Sequence, residues 1–337
     1  MSRILVTGGA GFIGSQLGAA LDRDGHEVIL VDDMSDGHED NLVVEGRRAG
    51  HFHLLDVRRP ELAPLLDGVE TVFQFAGPSS RPKCQSQPAY AYDNNVGGVA
   101  NVLELSRRAG VRRVIFSSTS AVYENTKTTP FREDAEIAPD LIYAMTKQAA
   151  ERLCAGVART CGLDVIVARF FNVYGEHQDF HRVNPPFVSY LAREALHGRA
   201  PLLFNPSPAA RDYVNVADVI DCLKLMRVAP KRYAGEAFNI CSGQGWSVPQ
   251  IVALYAQAIG RPIDPVYGDP GAFWDRFPAL FEGPLPLERA RIAAEVFKHS
   301  IGDPAKTRAE FGFEPRVSME EGLRRLHVFA QAQAQAA

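Results

Sequence analysis

The chain of 337 residues is short of several things. It has five cysteines, Cys84, Cys154, Cys161, Cys222 and Cys241, and no pair stands in a C-x-x-C spacing. An odd count without pairing argues against a disulfide framework and for reduced thiols. The nine histidines show no zinc spacing. His51 and His53 would share one strand face, but no further ligands accompany them, so no metal is expected. No apolar run is long enough to span a bilayer, and no charged-then-apolar leader precedes the first strand. The expectation is a cytoplasmic protein with no membrane partner. Positive charge is not in excess either: 36 Lys and Arg stand against 40 Asp and Glu, a formal net charge of −4. Basic doublets such as Arg47-Arg48 and Arg324-Arg325 are scattered and read as solvated surface, so no nucleic-acid partner is expected. There is no internal repeat. The Gln/Ala tail, 331–337, is expected to be a flexible end. What remains is the composition of an ordinary globular protein, 46% hydrophobic and 23% charged.

What is present is organised around Ile4-Leu5-Val6-Thr7-Gly8-Gly9-Ala10-Gly11-Phe12-Ile13-Gly14. An apolar run reads as a buried strand, and the glycines lead into a helix. Gly8 permits a tight turn, Gly11 lets backbone N–H groups approach a pyrophosphate, and Gly14 lets the helix pack close to the strand. A glycine pattern alone also fits a plain turn. A second run, His26–Val31, ends in Asp32-Asp33, roughly 20 residues on. An acid there is placed to accept both ribose hydroxyls of an adenosine and would repel a 2′-phosphate, so NAD is favoured over NADP.

Tyr143 and Lys147 stand at i and i+4 on one helix face, after a strand Arg113–Phe116 that ends in Ser117-Ser118-Thr119. A phenol has a reference pKa of ~10, and a nearby ammonium favours the phenolate. Thr119, at the strand end, could hydrogen-bond the same substrate oxygen. Taken singly, Tyr-x-x-x-Lys also fits a surface helix.

The spacing Thr7-Gly8-x-x-Gly11-x-x-Gly14 resembles the extended short-chain dehydrogenase/reductase family, the NAD-dependent nucleotide-sugar epimerases and dehydratases. Tyr143-x-x-x-Lys147, Arg169-Phe170-Phe171-Asn172-Val173-Tyr174-Gly175, Arg211-Asp212-Tyr213-Val214 and Asn239-Ile240-Cys241-Ser242-Gly243 carry the likeness along the chain. In motif it is closest to the UDP-glucose/UDP-galactose 4-epimerases. The resemblance implies an α/β fold: a Rossmann-type doubly wound parallel sheet with a smaller C-terminal α/β substrate-binding domain. It assigns 1–170 to NAD binding, with later segments near 211–242 partly returning, and 171–330 to the substrate.

It also implies residue roles. Cofactor contacts would come from Gly8, Gly11, Phe12, Ile13, Gly14, Asp32, Asp33, Asp56, Val57, Phe75, Ala76, Gly77, Asn95, Ser117, Tyr143, Lys147 and Phe170. Asp56 would meet the adenine amino group, unless it caps the segment starting at Pro60, and Lys147 the nicotinamide ribose. Catalytic roles fall to Thr119, Tyr143 and Lys147. Substrate contacts would come from Ser79, Thr119, Ser120, Asn172, Phe187, Arg211 and Ser300, with the backbone at Asn184–Phe187 meeting the base. Pro78 to Pro88 reads as a loop, where Arg81 or Lys83 could replace a phosphate-binding Lys. The segment Tyr267–Lys298 lacks the likeness. It holds Phe273, Trp274, Phe277 and Phe281, and reads either as a surface insertion or as a lid bringing Arg276, Arg289 or Arg291 to an anionic group.

The two residues after Thr119 bear on the reaction. Dehydratases of the family carry acids there, whereas this chain has Ser120-Ala121. That favours 4-epimerisation through a transient 4-keto sugar, with a UDP-sugar the favoured substrate. A dehydratase or another keto-sugar-forming enzyme is the alternative, and a non-catalytic NAD-binding regulator the alternative of a different class. The family usually dimerises through two helices per subunit, so a homodimer is expected.

Overall fold

A computed structural model describes residues 1–179, 185–269, 271–272, 274–283 and 285–336. Asn184 and Phe273, named above, lie outside them. The main sheet has seven strands: β1 (Arg3–Thr7), β2 (Glu27–Asp32), β3 (His51–Leu54), β4 (Thr71–Gln74), β5 (Arg113–Thr119), β6 (Asp164–Phe170) and β7 (Ala234–Ile240). They lie in the order 7-6-5-4-1-2-3, all parallel. This is the doubly wound arrangement of dinucleotide-binding sheets, extended by one strand. The order reverses between β1 and β4, which opens a crevice at their C-terminal ends.

Alternation along each strand explains why the sheet needs cover on both sides. Ile4 and Val6 face one core with Leu30, Phe73, Ile115 and Ile166. There they meet Leu17 and Leu21 of the helix Phe12–Arg23, and Val219 and Leu223 of the helix Val216–Val228. Leu5 points the other way, with Ile29, Val72, Val114 and Val165. That core is closed by Val99, Val102 and Leu103 of the helix Gly98–Arg108 and by Ala150 and Cys154 of the helix Ile142–Cys161. Each such aliphatic side chain contributes roughly 1.5–3 kcal/mol when buried.

A smaller sheet of Asn172–Tyr174, Ala210–Asn215 and Gly245–Ser247 lies beyond β6. The helices Phe187–Leu196, Val248–Ile259 and Met319–Ala336 share a third core there. Ser247 opens its helix as a capping box with Gln250. Of the segment near 211–242, the strand Ala210–Asn215 belongs to this smaller sheet, while the chain from Val216 to Ile240 packs on the main sheet.

Three local features complete the fold. Pro78–Pro88 is not all loop: Arg81–Ser86 is helical, because Ser80 accepts the Lys83 N–H as N-cap and Pro82 stands where a missing N–H costs nothing. The helix around Asn95 passes through a π turn, Asp93–Gly97. The Gln/Ala tail continues the last helix to Ala336, since both residues are strong helix formers. Among the described residues no helix is long and apolar enough to cross a membrane, and no cluster could hold a metal ion.

Candidate active site

A cleft of about 780 Å³ runs along the C-terminal ends of the main sheet. At its dinucleotide end, the Thr7 hydroxyl joins β1 to β4. It donates to Gln74 Oε1 at 2.7 Å and accepts the N–H groups of Phe75 and Ala76 at 3.0 and 3.1 Å. Gly8 has φ +67°, and a Cβ there would stand 3.0 Å from the Ala76 nitrogen. A Cβ at Gly14 would fall 2.1 Å from the Gly8 carbonyl oxygen. The helix Phe12–Arg23 can therefore start hard against the turn. Its N-cap, Gly11, supplies no side-chain bond, and its first turn holds no acid. The N–H groups there are left for an anion, and the backbone has room for one. This cradle fits the pyrophosphate of a dinucleotide.

Asp32 is buried in the same end, where its carboxylate accepts the N–H of Ala10 at 3.0 Å and of Met34 at 2.9 Å. Burial raises its carboxyl above the ordinary range, against the lowering effect of those two bonds. Asp33 is exposed and accepts the Ser35 N–H. The Asp56 carboxylate is held by Arg58, which lowers it, and does not cap the short helix Pro60–Leu66, whose N-cap is Arg59. Phe12, Ile13, Val57, Phe75, Ala76, Gly77 and Phe170 also line the cleft. Asn95 does not. Its Nδ2 donates to Pro78 O and Thr146 Oγ1, so it ties the loop after β4 to the helix Ile142–Cys161. Its buried Oδ1 has no partner and stands 2.3 Å from where a Cβ of Gly77 would be.

Thr119, Tyr143 and Lys147 meet at the middle of the cleft, beside Ser117. Thr119 Oγ1 accepts the Ala121 N–H at 3.1 Å, and its side chain acts on the Tyr143 phenol to favour the phenolate. Lys147 Nζ donates to Ser117 O at 3.0 Å and lies 5.0 Å from the centre of the Phe116 ring. Burial pulls its ammonium down to about 8. The main influences on the Tyr143 phenol do not include Lys147. Burial raises the Tyr143 phenol, and the influences that oppose it are the Thr119 bond and the Arg81 guanidinium. Lys147 is turned to a carbonyl instead.

Beneath these residues, Glu151 holds Arg169 in a two-pronged pair, at 3.0 and 2.7 Å, and accepts the Ser118 hydroxyl. Arg169 also reaches the Tyr123 hydroxyl at 2.7 Å. The neighbours of Thr119 and Lys147 are thus locked together, a role the pattern Arg-Phe-Phe-Asn did not disclose.

Toward the other end, Ser79, Asn172, Phe187 and Arg211 line the cleft. Asn172 Nδ2 is engaged with Asp212 O at 2.7 Å, and Arg211 donates to Glu295 O. Ser120 and Ser300 lie outside the lining. Ser300 pairs by its backbone with the strand of Arg211, its carbonyl accepting the Asp212 N–H at 2.8 Å. Lys83 is paired with Asp36, and Arg81 with Glu295. From the segment 267–298, Arg276 lines the cleft, while Arg289 pairs with Asp275 and Arg291 with Asp140 and Glu295. Sequence reasoning passed over Asn205, which lines the cleft and donates to Val296 O at 2.7 Å. It also passed over Glu124 and Glu295, which have no motif around them.

Comparison with known proteins agrees with this geometry. A model of the NAD dependent epimerase/dehydratase family matches residues 4–241. A UDP-glucose 4-epimerase of Mycolicibacterium smegmatis is 31% identical over 325 residues, covering 95% of this chain and 96% of that one. UDP-glucuronic acid decarboxylase 1 of Xenopus tropicalis is 29% identical, over 97% of this chain and 72% of its own. The solved structure of a UDP-glucose 4-epimerase with UDP-glucose, from Thermotoga maritima, superposes with a TM-score of 0.85 at 31% identity, covering 98% of this chain and 99% of that one.

Proposed function

The chain belongs to the NAD-dependent epimerase/dehydratase family, and we propose that within it this protein is a nucleotide-sugar 4-epimerase acting on a UDP-sugar. One observation carries the choice of reaction. Among the described residues that line the cleft, the carboxylates are Asp32, Asp33, Asp36, Asp56 and Asp179, and none is next to Tyr143 in the strand end or helix that build the reacting centre. Ser120 and Ala121, following Thr119, offer no second acid or base. A dehydratase or decarboxylase needs one at the sugar ring. An epimerase needs only the group that takes and returns the hydroxyl proton.

NAD, when bound, supplies reversible oxidation at the sugar carbon. Gly8, Gly11 and Gly14 would admit its pyrophosphate to the helix N-terminus, and Asp32 would accept the adenosine ribose hydroxyls. Tyr143 accepts the proton of the sugar hydroxyl as the ring carbon is oxidised, and gives it back at the end. Thr119 donates to the phenol oxygen and so favours the phenolate. The Lys147 ammonium would meet the nicotinamide ribose. Arg211 and Arg276 are among the cations at the other end of the cleft, suited to a diphosphate. In this reading residues 1–170, with the returning strand β7, hold the cofactor, and 171–330 hold the nucleotide sugar. The helices Gly98–Arg108 and Ile142–Cys161 would form a homodimer contact, where Leu153 and Val157 are only partly buried. A monomeric mass in solution would refute that contact.

The test is incubation with a panel of nucleotide sugars, without added cofactor. Unchanged product mass with a new retention time is the expected result. Loss of water or carbon dioxide would overturn the epimerase reading.

A further inference from the structure

Glu124 is the most enclosed acid near Tyr143, with a side chain 1% exposed. It follows the turn Ser120–Tyr123 that closes the strand carrying Thr119. One carboxyl oxygen, Oε2, accepts the N–H of Leu141 at 3.1 Å. Leu141 is the N-cap of the helix Ile142–Cys161, two residues before Tyr143. The other oxygen, Oε1, is buried with no partner. A carboxylate left this way is costly, so the group is driven to keep its proton.

The charges that face it come from two other places. Arg81 stands on the helix Arg81–Ser86, within reach of both Glu124 and Tyr143. Arg291, Glu295 and Lys298 come from the segment 267–298. Arg291 Nη2 lies 3.7 Å from Glu124 Oε2, and its guanidinium also grips Asp140, the residue before Leu141. Lys298 Nζ donates to the backbone carbonyls of Tyr123 and Glu124. Gln85 adds a further tie: it accepts the Ile142 N–H and donates to Leu285 O. A segment with no likeness to the family motifs thus reaches the first turn of the helix that bears Tyr143.

We propose that Glu124 is a positioning residue for Tyr143. Its carboxyl joins the end of the Thr119 strand to the start of the Tyr143 helix, and Arg291 and Lys298 of the segment 267–298 clamp that joint. The joint is sensitive to proton uptake. Burial, partly opposed by Arg81 and Arg291, pushes Glu124 up to about 7. Below that pH it is neutral. Above it, the new carboxylate draws toward Arg291 and raises the Tyr143 phenol, since like charges disfavour each other. The clamp therefore restrains phenolate formation as pH rises past neutrality.

This inference rests on Tyr143 being the acid/base, so its test is separable from turnover. The full chain, carrying [13Cζ]tyrosine, is titrated by NMR, with the Tyr143 signal assigned by Tyr143→Phe. Wild type should show a step in that signal near pH 7. Glu124→Gln should abolish the step and lower the Tyr143 midpoint by roughly half a unit. Arg291→Met, which leaves the helix itself intact, should move the step upward. In parallel, kcat/KM for the sugar found by the panel should lose its inflection near pH 7 in Glu124→Gln, with kcat reduced less than about threefold and KM unchanged. A Tyr143 signal that is the same in wild type, Glu124→Gln and Arg291→Met overturns the proposal, whatever the turnover. A step that behaves as stated, with no nucleotide sugar turned over, supports the coupling and sinks the epimerase reading instead.

Discussion

Arg113, at the start of β5, and Glu124, just past its end, are both buried ionisable groups, and their surroundings are opposite. Arg113 is fully enclosed and fully bonded. Its guanidinium grips Asp164 at 2.7 and 3.0 Å and donates to the carbonyls of Met226, Arg227, Ala229 and Lys231. Asp164 spends its remaining oxygen on the Tyr233 N–H. Glu124 has one bonded oxygen, one empty one, and an arginine at 3.7 Å. The first arrangement closes the C-terminal end of a helix and fixes three strands at their beginnings. The second sits where the strands stop and the cleft opens. Low dielectric makes a satisfied pair rigid and an unsatisfied group responsive. One strand thus carries a clasp at one end and a titratable joint at the other.

Substitutions at the two ends should separate these roles. Tyr143→Phe is expected to lower kcat by about 10²–10⁴-fold while the urea midpoint stays put. A comparable fall in stability would break the distinction. Asp164→Ala strands a buried guanidinium and should cost about 3–5 kcal/mol of stability, read from urea unfolding, with NAD affinity of the folded fraction unaltered. Gly14→Ala drives a methyl into the Gly8 carbonyl. It should cost about 1–3 kcal/mol, seen first as loss of bound NAD in the purified protein. Unaltered NAD content would remove the close-packing argument for that glycine.

The smallest effect lies in pH. Folded Glu124 holds its proton to about 7, against 4.5 for an ordinary glutamate. Between those values the folded state binds more protons than the unfolded one, so this group's contribution to stability falls as pH rises through that window. Glu124→Gln should flatten the stability–pH curve there, and the clasp variant Asp164→Ala should leave that part of its slope intact.

The parts of the site legible in the sequence are those made by neighbours in the chain. The glycine turn is dictated by backbone clearance over a few residues, and Tyr143 with Lys147 by one turn of helix. The unbroken apolar run from Ile4 to Val6 announced a buried strand. What stayed hidden is made by distance. Arg291 and Asp140 are 151 residues apart, and Arg81 and Glu295 are 214. No period or spacing encodes such pairs. The direction in which Lys147 points was hidden for a related reason. Helical spacing puts two side chains on one face, but the carbonyl of Ser117, on another element, decided where the ammonium points.

The small sheet interrupts the large one in a way that affects mechanics. The chain leaves the main sheet after Phe170, comes back at Val216, and leaves again after Ile240. It returns for Phe311 and Phe313 before ending in the helix Met319–Ala336. Two bodies joined by a single cord can swing apart like jaws. Two bodies stitched by several short cords turn only if all of the cords bend together. No single cut in the chain would therefore release either half intact.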